Sequence, residues 1–159
     1  MTSAVSSRLH ICVPTPAQLH GLADELREGD QIELIRSGWC NPYFALGEAL
    51  RVSDYIRYAE VDGKPMAAWG LVVTDVMQGI GYPWLLTGKA VNDHKLLFYR
   101  ASQLFVAEML KRCPHLIVMI DANYPRAIGW AESIGFEMTG MLPWGPNGEP
   151  FFRAEMVGD

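Results

Sequence analysis

The 159-residue sequence predicts an α/β fold, an α+β mixed sheet that is mostly antiparallel but holds one parallel strand pair around a long helix. Three observations carry this. Asp62-Gly63 separates two strand-like runs, 55–61 and 65–73, and Asp-Gly there is a strong hairpin signal because a tight turn needs positive φ. The run LIVMI at 116–120 is apolar at every position, as suits a strand covered on both faces. Between them, NDHKLLFYRASQLFVAEMLKR sets Phe98, Ala101, Phe105 and Met109 at helical spacing, flanked by Leu97 and Leu104.

In chain order, SRLHICVPT is a short strand that stops at Pro14. Thr15 can cap a helix with Pro16 at its first position, and Leu19, Leu22, Ala23 and Leu26 form its apolar side to about Glu28, with Gly29 as the stop. A second, shorter helix begins near Asn41-Pro42. After the hairpin, the Gly-rich turn QGIGYP leads into a third strand, WLLT, at 84–87. The long helix runs from Asn92 as N-cap to Pro114, and strand 116–121 then completes a right-handed βαβ unit. Asp121 to Tyr124 end that strand. Pro125 opens a last helix with Ala127, Trp130, Ala131 and Ile134 on one face and Gly135 as its stop. Strands at about 136–141 and 151–156 flank PWGPNGEP, giving six or seven strands and about four helices in a single domain over 1–159.

Composition narrows the function. Half of the residues are hydrophobic and 19% are charged, which excludes disordered and fibrous classes. A net charge of −5 without a Lys/Arg stripe argues against nucleic-acid binding. The start MTSAVSSRLHICVP lacks a signal-peptide core, and LIVMI is far too short to span a bilayer, so a cytoplasmic protein without a membrane span is expected. Cys12, Cys40 and Cys113 are odd in number and widely separated, as reduced, buried thiols would be. His10, His20, His94 and His115 have no ligand-like spacing, so no metal site is expected. There is no phosphate loop, dinucleotide fingerprint or nucleophile elbow. Of the five tryptophans, Trp84 and Trp144 are placed to line a cleft, and the others suit the core.

The element order resembles the GNAT superfamily of acyl-CoA N-acyltransferases over nearly the whole chain. The segments PWLLTGKAVNDHKLLFYRAS, DANYPRAIGWAESIGF and PWGPNGEPFFRAEM are similar to the GNAT-like proteins of tailed phages, a group that includes an internal virion protein of short-tailed podophages. The resemblance implies acetyl-CoA as cofactor, its pantetheine arm lying between splayed strands near Trp84, Leu85, Leu86, Thr87 and Asn123. It also implies a pyrophosphate at the start of the long helix, where free amides and the helix dipole favour anions, beside Lys89, Asn92 and Lys95. Two departures stand out. The loop TGKAVNDH holds Gly88 alone where the family carries several glycines. Tyr124 stands where an asparagine is usual, and Ala131 where the family places the tyrosine that protonates the CoA thiolate.

Tyr124 is therefore the candidate acid, and Glu60, His94 and Asp121 are the candidate bases for deprotonating an amine. Each has a plainer reading. Lys89 and Lys95 also fit exposed charge at a helix start, His94 a contact to a backbone carbonyl or water, Asp121 a cap, and Tyr124 simple packing. The resemblance implies either an N-acetyltransferase acting on a small amine or a protein amine, or an inactive scaffold that binds a host or phage protein, in the host cytoplasm or packaged in the virion. The two divide on one feature. Strands 84–87 and 116–121 must splay into an open slot for the enzyme, and a filled slot removes it.

Overall fold

Asp62 and Gly63 do what a tight hairpin demands. In the computed structural model, which describes residues 8–159, both adopt positive φ (52° and 77°) and fold β2 (Tyr55–Val61) back onto β3 (Lys64–Asp75). The N-terminal segment expected to lack a leader, and the first residue of the strand expected from Ser7, fall outside those residues in whole or in part. Strand β1 (Leu9–Cys12) pairs with the outer edge of β2, and β4 (Ile80–Thr87) runs antiparallel to β3. Then β5 (His115–Asp121) lies parallel to β4, β7 (Glu149–Val157) antiparallel to β5, and β6 (Glu137–Trp144) pairs with β7. The sheet order is β1-β2-β3-β4-β5-β7-β6.

Among the described residues, five α-helices flank the sheet: α1 (Pro16–Asp24), α2 (Glu28–Arg36), α3 (Pro42–Val52), α4 (Lys95–Arg112) and α5 (Pro125–Ser133). Thr15 caps α1 through a reciprocal box with Gln18, and Asn41 caps α3 by accepting from the Phe44 amide at 2.8 Å. Three expectations are corrected. The first helix ends at Asp24 rather than Glu28, and Gly29 is the second residue of an unexpected helix, α2, instead of a stop. Asn92 does not cap the long helix: residues Lys89–Asp93 form a 3₁₀ turn and His94 takes the cap position. Only Cys113 is a buried thiol; Cys12 is half-buried and Cys40 exposed.

Two apolar layers hold the sheet. Under α4 and α5, Trp69 stacks on Phe105 at 4.5 Å among Met109, Leu116, Ile120 and Phe136. Under α1 and α3, Leu19, Leu22, Leu46, Ile56 and Leu86 fill the other face. Each fully buried leucine or isoleucine contributes about 1.5–3 kcal/mol. Among the described residues, no helix is long and apolar enough to cross a membrane.

The sheet opens at one place. β4 and β5 pair only at Ile80↔His115 and Gly81↔Leu116. Beyond that point β4 stays on β3 as far as Thr87, and β5 stays on β7 as far as Asp121, so the two strands part like a V.

Candidate active site

The V is open. A cavity of about 740 Å³ is lined on one side by β4 from Tyr82 to Thr87 and on the other by β5 from Ile117 to Ile120. Its walls come from both faces of the sheet, since Phe98 of α4 and Trp130 of α5 line it together with Ala45 and Val52 of α3. It therefore passes through the sheet.

Helix α2 closes the wide end of the V with carboxylates. Arg27, Asp30, Glu33 and Leu34 recur at helical spacing and all line the cavity. Asp30 is buried and ties the end of β4 to the start of α5. Its Oδ2 accepts from the Thr87 hydroxyl at 2.7 Å and from the Thr87 amide, and its Oδ1 accepts from the Tyr124 hydroxyl at 2.6 Å. Arg27 Nε in turn donates to Thr87 Oγ1 at 2.8 Å, and the Arg27 amide donates to the Thr87 carbonyl at 3.0 Å. Burial outweighs these donors and pushes the Asp30 carboxyl up from its ordinary range. Tyr124 is raised as well, first by desolvation and then by the Asp30 charge.

Glu33 lies one helical turn on. Its Oε2 accepts from the Asp121 amide at 3.0 Å, so α2 satisfies backbone donors on both arms of the V, Thr87 on β4 and Asp121 on β5. Burial is the main reason its carboxyl is raised to about 7, reinforced by the charges of Asp30 and Asp121 and opposed by the Asp121 amide. A side chain that shares its proton near neutral pH, on the wall of a cleft, has the property a general base needs.

Close approach sets this geometry. A Cβ on Gly29 would stand 2.5 Å from Tyr124 Cζ, so the Tyr124 ring lies flush against the first turn of α2. At the other end of α2, Arg36 Nε ion-pairs with Asp121 Oδ2 at 2.7 Å and Arg36 Nη2 with Glu149 Oε2 at 3.1 Å.

The residues singled out by sequence are divided. Trp84, Leu85, Leu86, Thr87 and Tyr124 line the cavity, and so does Trp144. Asp121 is 1% exposed, committed to Arg36, and its Oδ1 accepts from the Asn123 amide at 2.9 Å. Glu60 accepts from the Tyr58 hydroxyl at 3.2 Å on β2, three strands from β5, and is not on the cavity wall. His94 sits at the head of α4, and Lys89, Asn92, Lys95 and Asn123 are exposed; none of these five lines the cavity. Ala131 is fully buried in the core. Asp30, Glu33, Arg27 and Arg126 lie on the wall without having been singled out. For Arg27, Asp30 and Glu33 the signal was spacing, because 27, 30 and 33–34 form one stripe once α2 is recognised as a helix, whereas Arg126 belongs to α5.

No family model matches this sequence, and no curated protein matches it. Solved structures do. An acetyltransferase of the GNAT family from Bacillus anthracis superposes with a TM-score of 0.70 at 11% identity, over 94% of this chain and 95% of that one. The microcin C7 self-immunity acetyltransferase MccE, in complex with acetyl-CoA and AMP, gives 0.71 at 11% identity over 94% and 92%. The aminoglycoside acetyltransferase AAC(6')-Ib, in complex with coenzyme A, gives 0.69 at 17% identity over 94% and 95%. The chain has the GNAT acetyltransferase fold.

Proposed function

We propose that this chain is an N-acetyltransferase that moves the acetyl group of acetyl-CoA onto a primary amine, with Glu33 as the general base. The observation that carries the reading is the open V between β4 and β5, with a carboxyl titrating at about 7 on its wall.

The V suits a pantetheine arm. Beyond Gly81, β4 keeps a ladder partner only on its β3 side, and β5 beyond Leu116 only on its β7 side. An extended chain with amides can pair with such edges as an added strand would. Leu85, Ile117, Val118 and Met119 supply apolar walls for it. The phosphates would meet the first-turn amides of α4, where no side chain provides a cap, with exposed Lys89, Lys95 and Arg126 as cations.

Bound acetyl-CoA supplies an activated acyl thioester. Glu33 takes the proton released as the amine nitrogen bonds the acyl carbon and the C–S bond breaks. Tyr124 Oη is the proton source for the departing sulfur, and Asp30, which accepts from that hydroxyl, orients it. The phenolate regains its proton from solvent, and Glu33 releases its proton to solvent, which closes the cycle. Arg27 and Thr87 hold Asp30 in place. Neighbours in fold named as aminoglycoside and spermidine acetyltransferases support an amine acceptor. The test is a thermal shift with acetyl-CoA followed by thiol release in the presence of an amine. A cofactor-dependent shift and turnover lost in Glu33→Gln support the reading, and the absence of any shift sinks it.

One observation favours a second reading. The Gly88 and Lys89 amides, at the loop where a pyrophosphate would lie, donate instead to the Met66 and Glu25 carbonyls at 2.7 and 2.8 Å. Under that reading the fold is kept as a scaffold for binding a host or phage protein, in the host cytoplasm or in the virion, as the phage resemblance suggests. The same thermal shift separates the two.

A further inference from the structure

We propose that the acceptor is a small primary monoamine with an apolar or aromatic body and no second positive charge. The proposal rests on the acetyltransferase reading and concerns the half of the cavity that opens beside α2 and α3.

The wall there is aromatic and aliphatic. Ala45, Ala49 and Val52 recur along α3 at one-turn spacing and face the cavity. Trp39, Tyr82 and Trp144 line the same cavity while keeping 36%, 40% and 43% of their surface exposed. Three large rings left partly open around one cleft offer flat apolar area at little entropic cost.

Charge sets the rest. Three carboxylates line the cavity among the described residues: Asp30, Glu33 and Glu48. Asp30 is filled by Thr87 and Tyr124. Glu48 is held by Arg51, with Nη2 and Oε2 2.7 Å apart, and that partner keeps its carboxyl below the usual range. Glu33 accepts only a backbone amide and has no cationic partner. One ammonium therefore finds one carboxylate, and a second ammonium would be desolvated against rings. A polyamine or aminoglycoside fits this wall poorly.

Two measurements test the proposal. In the first, the cofactor-free protein is titrated with 2-phenylethylamine, hexylamine and spermidine while tryptophan fluorescence is followed. Saturable quenching by the monoamines at lower concentration than by spermidine is expected, and equal or tighter spermidine binding overturns the proposal. In the second, thiol release at fixed acetyl-CoA is compared for the same amines, an aminoglycoside and a lysine-containing peptide. We expect kcat/KM for the monoamines to exceed the others on the order of a hundredfold. Trp144→Ala, and separately Trp39→Ala, should raise KM for 2-phenylethylamine about tenfold, with the acetyl-CoA thermal shift unchanged. Preference for spermidine, the aminoglycoside or the peptide, with that shift intact, overturns the acceptor class and leaves the acetyltransferase standing. A missing shift overturns the acetyltransferase, and the fluorescence titration still decides the acceptor pocket.

Discussion

Glu33 concentrates the chemistry at the residue scale, because among the described residues it alone joins a wall position, a near-neutral carboxyl and the absence of a cationic partner. If it is the base, kcat/KM should rise with pH, passing its midpoint near the value of about 7 to which burial raises the group, and level off above. Glu33→Gln should abolish that limb and lower kcat on the order of a hundredfold or more, while acetyl-CoA still binds. The same shift has a stability consequence. A carboxyl raised from 4.5 to about 7 on folding favours the protonated form, so its contribution is complete below pH 4.5 and is lost as pH rises through 7. Denaturant unfolding of Glu33→Gln between pH 5 and 8 should therefore lose less stability with rising pH than the parent, and an identical pH slope would contradict the assignment. Glu33 was not singled out in the sequence, since without α2 recognised as a helix a glutamate between Ile32 and Leu34 in a charged stretch reads as solvated surface. Tyr124 was legible because it follows a strand end and precedes a helix-starting proline, a place where cleft residues gather.

Helix α2 is the element that sequence reading missed, and its pattern is inside-out. Asp30 and Glu33 face the cleft, whereas Ile32 and Ile35 are 48% and 62% exposed, so hydrophobic periodicity points the wrong way. Arg27 provides no side-chain cap at its start, and Gly29 in the first turn looks like the end of the preceding helix. The hairpin and the βαβ unit were legible for the opposite reason: Asp62-Gly63 and the apolar 116–120 run agree with their burial. Gly29 is there for the Tyr124 ring. Gly29→Ala should keep the helix, which alanine favours by about 1 kcal/mol, yet push the ring off Asp30. Unchanged far-UV circular dichroism with a clear fall in kcat is the expected pair of results. Gly145 pins the other end of α2 from the β6–β7 turn, at a φ of +72° and with a Cβ position only 2.0 Å from the Arg36 carbonyl oxygen. Both obstacles are backbone, so Gly145→Ala should cost about 1–3 kcal/mol and lower Tm by several degrees.

Across the whole molecule, the sheet gives up pairing in its middle and recovers the loss elsewhere. A closed β4–β5 ladder would add backbone hydrogen bonds, yet the strands part after two paired positions while β3 and β7 hold their outer edges. The hydrogen-bonding cost at the wide end is offset by α2, whose carboxylates take the Thr87 and Asp121 amides. The opening is thus braced from outside by α2. That separates folding from binding, and a substitution that fills the V can distinguish the two. Val118 is half-buried, sits on β5 opposite the departing β4 and lines the cavity. Val118→Trp would place a ring where an extended arm has to lie. If the V is the cofactor slot, this variant should still fold, since the added ring has the open cavity to occupy, with a lowered Tm because Val118 also packs against the core under α4 and α5. It should also lose the acetyl-CoA thermal shift and all turnover. An undiminished shift in a folded Val118→Trp protein would place the cofactor outside the V, and with it the role proposed for Glu33 would fall.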